Sequence, residues 1–178
     1  QRLTQADPGV HDDIRENFLF AVDSTTGVAT PVSPETSGLP SALAGTADQR
    51  LLGYQFSGQL VEIDIDTATQ TPVGDPTGLN ATSFDILEND EGFIVPFDEN
   101  FNTQQLHQID IATGAAVPLG SSQAVGDAID NTRGTGLGTA TPFIISLGSV
   151  DNSLYGIDLD TDSLIQFDSE TGDAAVVG

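Results

Sequence analysis

Gln108–Gly120 reads QIDIATGAAVPLG, and its outline recurs three more times along the chain. Aligned on Asp23, Asp64, Asp110 and Asp168, the copies place Thr26, Thr67, Thr113 and Thr171 three residues later. The next position holds Gly27, Ala68, Gly114 and Gly172. Eight residues after the Asp stand Pro31, Pro72, Pro118 and Val176, then Val32, Val73, Leu119 and Val177, then Ser33, Gly74, Gly120 and Gly178. Four copies that agree over so many offsets without a gap mark an internal repeat, the signature of propellers, solenoids and arrays.

Each copy reads as a β-hairpin. Upstream of the Asp, apolar and polar residues alternate: Val61, Ile63 and Ile65 against Glu62, Asp64 and Asp66, and again His107, Ile109 and Ile111, or Ile165 and Phe167. A period of two describes a strand with two unlike faces. The Asp accepts backbone N–H groups in the turn, and the Gly takes its positive φ. The Pro of the returning strand is tolerated only at a sheet edge, so the repeat predicts a hairpin whose outer strand is an edge. Two further strands precede each hairpin. They are expected at Ser41–Thr46 and Leu51–Phe56, at Thr82–Leu87 and Phe93–Phe97, and at Pro142–Leu147 and Leu154–Ile157.

Four antiparallel strands per unit, ending at an edge, are the blade of a β-propeller. The fold class expected is all-β and propeller-like, about four blades in one repeat domain, with units at 1–34, 35–76, 77–121 and 122–178. Stacked sheets or an open solenoid are the alternatives. Leu154–Gly178 (LYGIDLDTDSLIQFDSETGDAAVVG) and Gln59–Gly74 (QLVEIDIDTATQTPVG) resemble the repeats of secreted bacterial propeller-like proteins of uncharacterised function, and Leu79–Ile86 fits the same pattern. The resemblance implies blade architecture and leaves activity open. The first unit departs from it, because residues 1–17 (QRLTQADPGVHDDIREN) make a poor pair of strands. Either those residues complete a four-bladed ring, or the chain is a homo-oligomer or filament joined through strand edges.

Composition narrows the partners. The chain has 178 residues and a formal charge of −23, with four Arg, no Lys and no Cys. Its 38% hydrophobic content separates it from a disordered acidic tail. Nucleic acid and anionic membrane surfaces need a basic footprint that four scattered Arg do not supply. The remaining partners are cations, basic proteins or other proteins, and glycans. A Lys-free acidic surface stays hydrated in concentrated salt, which points to a marine or halophilic setting. No stretch has the apolar length of a membrane span. A start at Gln1 fits a removed signal peptide or a trimmed chain, and the expected location is extracellular or at the cell surface.

Candidate chemistry lies in the loops. Asp158, Asp160 and Asp162 are spaced as in a calcium loop, but the sixth and twelfth places hold Ser163 and Ser169 where the helix–loop–helix site needs Gly and a bidentate acid. A looser calcium site is one expectation and a solvated acidic hairpin the other. Asp98, Glu99 and Asn100 would emerge on the same side, and Asp66 and Glu88–Gly92 are weaker oxygen donors. No catalytic residues are assigned. His107 falls in register with Val61 and Ile165 and reads as a packed or channel-lining strand residue, whereas His11 belongs to the irregular N-terminal stretch. Gly134, Gly136 and Gly138 lack the strand and helix that a phosphate loop requires. Two His without Cys make a poor zinc site. Asn80-Ala-Thr82 is a glycosylation-type sequon. The functional expectation is a non-enzymatic exported structural or interaction module, with a calcium-dependent binder or a carbohydrate-active enzyme as alternatives.

Overall fold

The computed structural model describes residues 19–32, 38, 40–97, 105–121, 124–133, 143–159 and 161–178. Among these, one two-stranded and three four-stranded antiparallel sheets account for nearly all regular structure. The first sheet pairs β1 (Phe20–Val22) with β2 (Ala29–Pro31). The second runs in chain order through β3 (Ala42–Gly45), β4 (Leu51–Tyr54), β5 (Leu60–Ile63) and β6 (Gln70–Val73). The third comprises β7 (Phe84–Ile86), β8 (Gly92–Ile94), β9 (Leu106–Ile109) and β10 (Ala116–Leu119), and the fourth β11 (Ile144–Val150), β12 (Ser153–Asp158), β13 (Ser163–Phe167) and β14 (Ala174–Val176). The first strands of successive sheets adjoin, β3 beside β7 and β7 beside β11. The sheets are therefore blades set side by side about their inner strands, and the propeller-like reading holds.

The Asp–Thr–Gly phase builds the same turn four times. Asp23, Asp64, Asp110 and Asp168 each accept, through Oδ1, the N–H groups two and three residues on, at 2.8–3.2 Å. Each Asp carbonyl then accepts the N–H of Gly27, Ala68, Gly114 or Gly172 at 2.7–2.8 Å. Pro31, Pro72 and Pro118 all lie in the last strand of their sheets, β2, β6 and β10, where a missing N–H leaves no ladder partner unserved.

Three apolar layers fill the spaces between sheets. Leu19, Val61, Ile63 and Ala68 pack between the first and second. Leu52, Tyr54, Leu60, Phe84, Ile94 and Ile109 pack between the second and third. Phe93, Leu106, Ile144, Leu154, Ile165 and Phe167 pack between the third and fourth. A middle blade is thus covered on both faces, as parallel layers demand of adjacent residues such as Leu60 and Val61.

Three details differ from the sequence expectation. Ile65 does not continue the strand: the Asp64 turn already starts there, so its side chain is exposed. The link expected between Leu147 and Leu154 is shorter. β11 runs to Val150 and the chain reverses on Asp151 and Asn152 alone, at φ +49° and +60°, the tight turn that suits a twisted hairpin. A ten-residue helix, α1 (Ala124–Arg133), which the repeat pattern did not announce, lies against β14 and inserts Val125 into the third apolar layer. The first unit supplies the last two strands expected of it, and residues 1–18 fall outside the described part.

Candidate interaction face

Each blade has a leading face toward the next sheet and a trailing face toward the previous one, and the repeat assigns residues to both. Four positions before the Asp stand Leu19, Leu60, Leu106 and Leu164. Leu19 packs toward the second sheet, Leu60 toward the third and Leu106 toward the fourth. Nine positions after the Asp, Val32, Val73 and Leu119 flank the same three layers. One position before the Asp, Ile63, Ile109 and Phe167 supply the trailing face that receives them. Leucine at minus four is identical in all four copies, and sequence reading that aligned only from the Asp onward missed it.

The final glycine of a copy adds a backbone latch. A Cβ placed on Gly74 would lie 1.8 Å from the carbonyl oxygen of Thr113, and one on Gly114 would lie 2.4 Å from that of Val73. Gly120 and Gly172 repeat the contact one blade later, at 2.5 Å from Thr171 and 2.4 Å from Leu119. Two bare backbones therefore meet where the end of one hairpin abuts the turn of the next, and only glycine fits. The hairpin turns on the other side are tied as well: Ala47 N–H donates to Asp90 Oδ1 at 2.9 Å, and Glu88 N–H to Asn152 Oδ1 at 3.1 Å.

On the fourth sheet the leading set is more exposed. Leu19, Leu60 and Leu106 are 8%, 1% and 0% exposed, whereas Leu164 is 39% exposed. Tyr54, the cross-strand partner of Leu60, is fully buried, but Ile157, the partner of Leu164, is 47% exposed. Val177 is 49% exposed, and nothing lies within 4 Å of a Cβ on Gly178. Ser146, Gly148, Val150, Tyr155, Ile157 and Leu164 line a shallow groove of about 570 Å³ on this face. Charged side chains are absent from its lining, in contrast to the acidic surface elsewhere.

Of the residues singled out for chemistry, Asp158, Asp162 and His107 are described, and none of the three lines this groove. Asp158 is buried and already engaged: Oδ1 accepts the Phe143 N–H at 2.6 Å, and Oδ2 accepts the Thr161 N–H at 3.0 Å and the Thr161 hydroxyl. Its carboxylate fastens the start of β11 to the β12–β13 turn. Asp162 is exposed at φ +54°, and Asp160 lies outside the described residues, as do Asp98, Glu99, Asn100, His11 and Gly134–Gly138. No group of three metal-ligating side chains comes together among the described residues. His107 lines a second groove, about 530 Å³, with Asp75, Thr77 and Pro118. Burial pushes its imidazole below the usual value, and Nδ1 lies 3.3 Å from the Gln105 carbonyl. Asn80 is exposed, with its carbonyl held by the Phe97 N–H. No described helix is long and apolar enough to cross a membrane.

Solved structures share this arrangement. Virginiamycin B lyase from Staphylococcus aureus matches with a TM-score of 0.54 at 12% identity, over 90% of this chain and 48% of that one. A structural-genomics protein of unknown function from Bacteroides thetaiotaomicron matches at 0.56 and 13%, over 91% and 38%. YCF48 bound to D1 peptide matches at 0.52 and 9%, over 84% and 43%. The chain spans half or less of the length of these structures, and at such identities the likeness is one of fold, which is propeller-like. No protein-family model and no curated protein matches the sequence.

Proposed function

We propose that this chain is a non-enzymatic, exported structural or protein-interaction module. Its uncovered blade face and edges join it to other protein, including further copies of itself. The observation that carries the reading is the propeller-like stack, in which successive sheets are joined through repeated apolar faces and glycine contacts rather than around a cluster of catalytic side chains. A face built from the residues that elsewhere join blades is a surface suited to protein, because its groove is lined by aliphatic side chains, Tyr155, two serines and glycine backbone, with no charge. A similar fold holds a peptide in YCF48 and serves a lyase in Staphylococcus aureus, so fold alone does not choose between binding and chemistry. The face favours binding. Export rests on the Cys-free, strongly acidic composition.

Light scattering coupled to size-exclusion chromatography tests self-association. The particle is expected to exceed the 18.5 kDa of one chain as protein concentration rises. A mass fixed at one chain at every protein, salt and calcium concentration would overturn the self-assembly part.

A further inference from the structure

We infer that the seam between the second and third sheets is a pH-sensitive joint, which protonation of His107 loosens in mild acid while the seam between the third and fourth holds.

The repeat sets this seam apart from its neighbours. His107 stands three residues before its Asp, where the second and fourth copies have Val61 and Ile165. Val61 is buried in the layer between the first and second sheets, and Ile165 in the layer between the third and fourth. His107 shares a face of β9 with Ile109, which packs between the second and third sheets. That layer therefore carries an imidazole where the layers on either side carry aliphatic side chains.

The ring is partly covered and lines the groove of about 530 Å³ at this seam. Pro76 and Leu79, from the chain leaving the second sheet, and Ala116 and Pro118, from β10, share the lining. Among the described residues the ring meets one acceptor, the Gln105 carbonyl, 3.3 Å from Nδ1. A protonated imidazole has two N–H donors and a charge. One carbonyl cannot serve both donors, so the cation draws water. Water admitted through the groove sits between the two sheets and weakens their contact.

No neighbouring charge is paired with the ring. Asp75 lines the same groove and is exposed. Glu62, on the Leu60 face of β5, is paired with Arg50 at 3.6 Å, and Arg50 with Asp48 at 3.0 Å. β6, β8 and β10 carry no ionisable side chain, and Asp85 of β7 alternates to the face opposite Phe84 and Ile86. Burial holds the imidazole below its ordinary value of 6.5, against the raising effect of the Gln105 carbonyl. The unfolded chain therefore takes the proton first. Stability is full above pH 6.5 and falls as pH drops through the lower folded value.

Urea titration across the histidine range, about pH 8 to 5, tests the joint in the wild type, His107→Val and His107→Gln. In 1 M NaCl repulsion among carboxylates is screened to about 3 Å, and what remains is common to all three proteins. The wild-type midpoint is expected to fall relative to both variants as pH drops below 6.5. Hydrogen exchange, corrected for its intrinsic rate, should quicken in acid at 75–79 and 113–116 but not at 119–121 and 171–173, and in the wild type alone. A difference between wild type and variants that is flat in pH overturns the proposal, as does quickening spread evenly over both seams. If neither variant folds, ring-proton NMR of His11→Gln, in which His107 is the one remaining imidazole, decides. Native-state titration below 6.5 supports the joint, and titration at or above 6.5 overturns it.

Discussion

Asp110 gathers three backbone N–H groups with one side chain and one carbonyl: Ala112 and Thr113 on Oδ1, Gly114 on the carbonyl oxygen. The hydrogen bond from Ala112, with those from Thr113, holds its carboxyl below the ordinary value of 3.8. A depressed folded-state value means stability that is present above pH 3.8 and lost as pH falls through the lower folded value. Asp110→Asn keeps an acceptor but removes the charge. In 1 M NaCl, where repulsion among carboxylates is screened to about 3 Å, the variant should melt below the wild type at pH 7, and the difference should close below pH 3.8. A difference independent of pH would mean that the turn draws nothing from the carboxylate charge. The glycines offer a cleaner comparison. Gly27 and Gly120 share a left-handed backbone, φ +71° and +66°, but a Cβ meets open space at the first and the Thr171 carbonyl at 2.5 Å at the second. Gly27→Ala should cost only the left-handed penalty, about 1–2 kcal/mol. Gly120→Ala should cost more than that by at least about 1 kcal/mol, read as the difference in urea midpoints at equal m. Equal losses would remove the latch from the account of how blades are held.

Among elements, the strand that ends at the Asp carries the energetics of blade stacking. Leu106 in β9 is fully buried between the third and fourth sheets, while Leu164 in β13 occupies the same repeat position at an end face. Leu106→Ala is therefore expected to destabilise by about 2–5 kcal/mol and Leu164→Ala by less than about 1. Urea titration at a protein concentration where the chain is monomeric would show it, and equal losses would mean that the end face is packed after all. Much of this was legible in the sequence. The gap-free phase fixed the hairpin, the edge position of Pro72 and Pro118, and the count of full blades, because turn chemistry and proline are local constraints. The helix α1 was not, since its start at Ser121–Ala124 falls between repeats and only Ala124, Val125 and Ala128 hint at a face. Asp158 was misleading in another way. Its spacing to Asp160 and Asp162 suits an ion, but the backbone of Phe143, fifteen residues upstream, takes one oxygen. A contact of that range leaves no trace in local spacing. Leu164 stands four residues upstream of Asp168, outside the offsets by which the copies are matched. Its importance emerged only when burial separated it from Leu60 and Leu106.

For the molecule as a whole, charge opposes compaction. The formal charge is −23, and the described ion pairs are those of Arg50 with Asp48 and Glu62. The turn aspartates accept backbone N–H groups, and none of them is ion-paired among the described residues. Folding brings these carboxylates closer than they are in the open chain, and the repulsion destabilises the folded state wherever salt does not screen it. Raising NaCl from 0.1 to 1 M shortens the screening length from about 10 to about 3 Å. The melting temperature should therefore rise, and at this length each 1 kcal/mol recovered is worth roughly 2–4 °C. Association would raise it too, by mass action, so the measurement is made at a protein concentration where light scattering reads one chain. Na2SO4 at matched ionic strength separates screening from strengthened apolar burial, because sulfate adds the second effect. Equal gains in the two salts identify relief of repulsion as the cause, and a melting temperature flat in NaCl would show that the acidic surface exacts no cost from the fold.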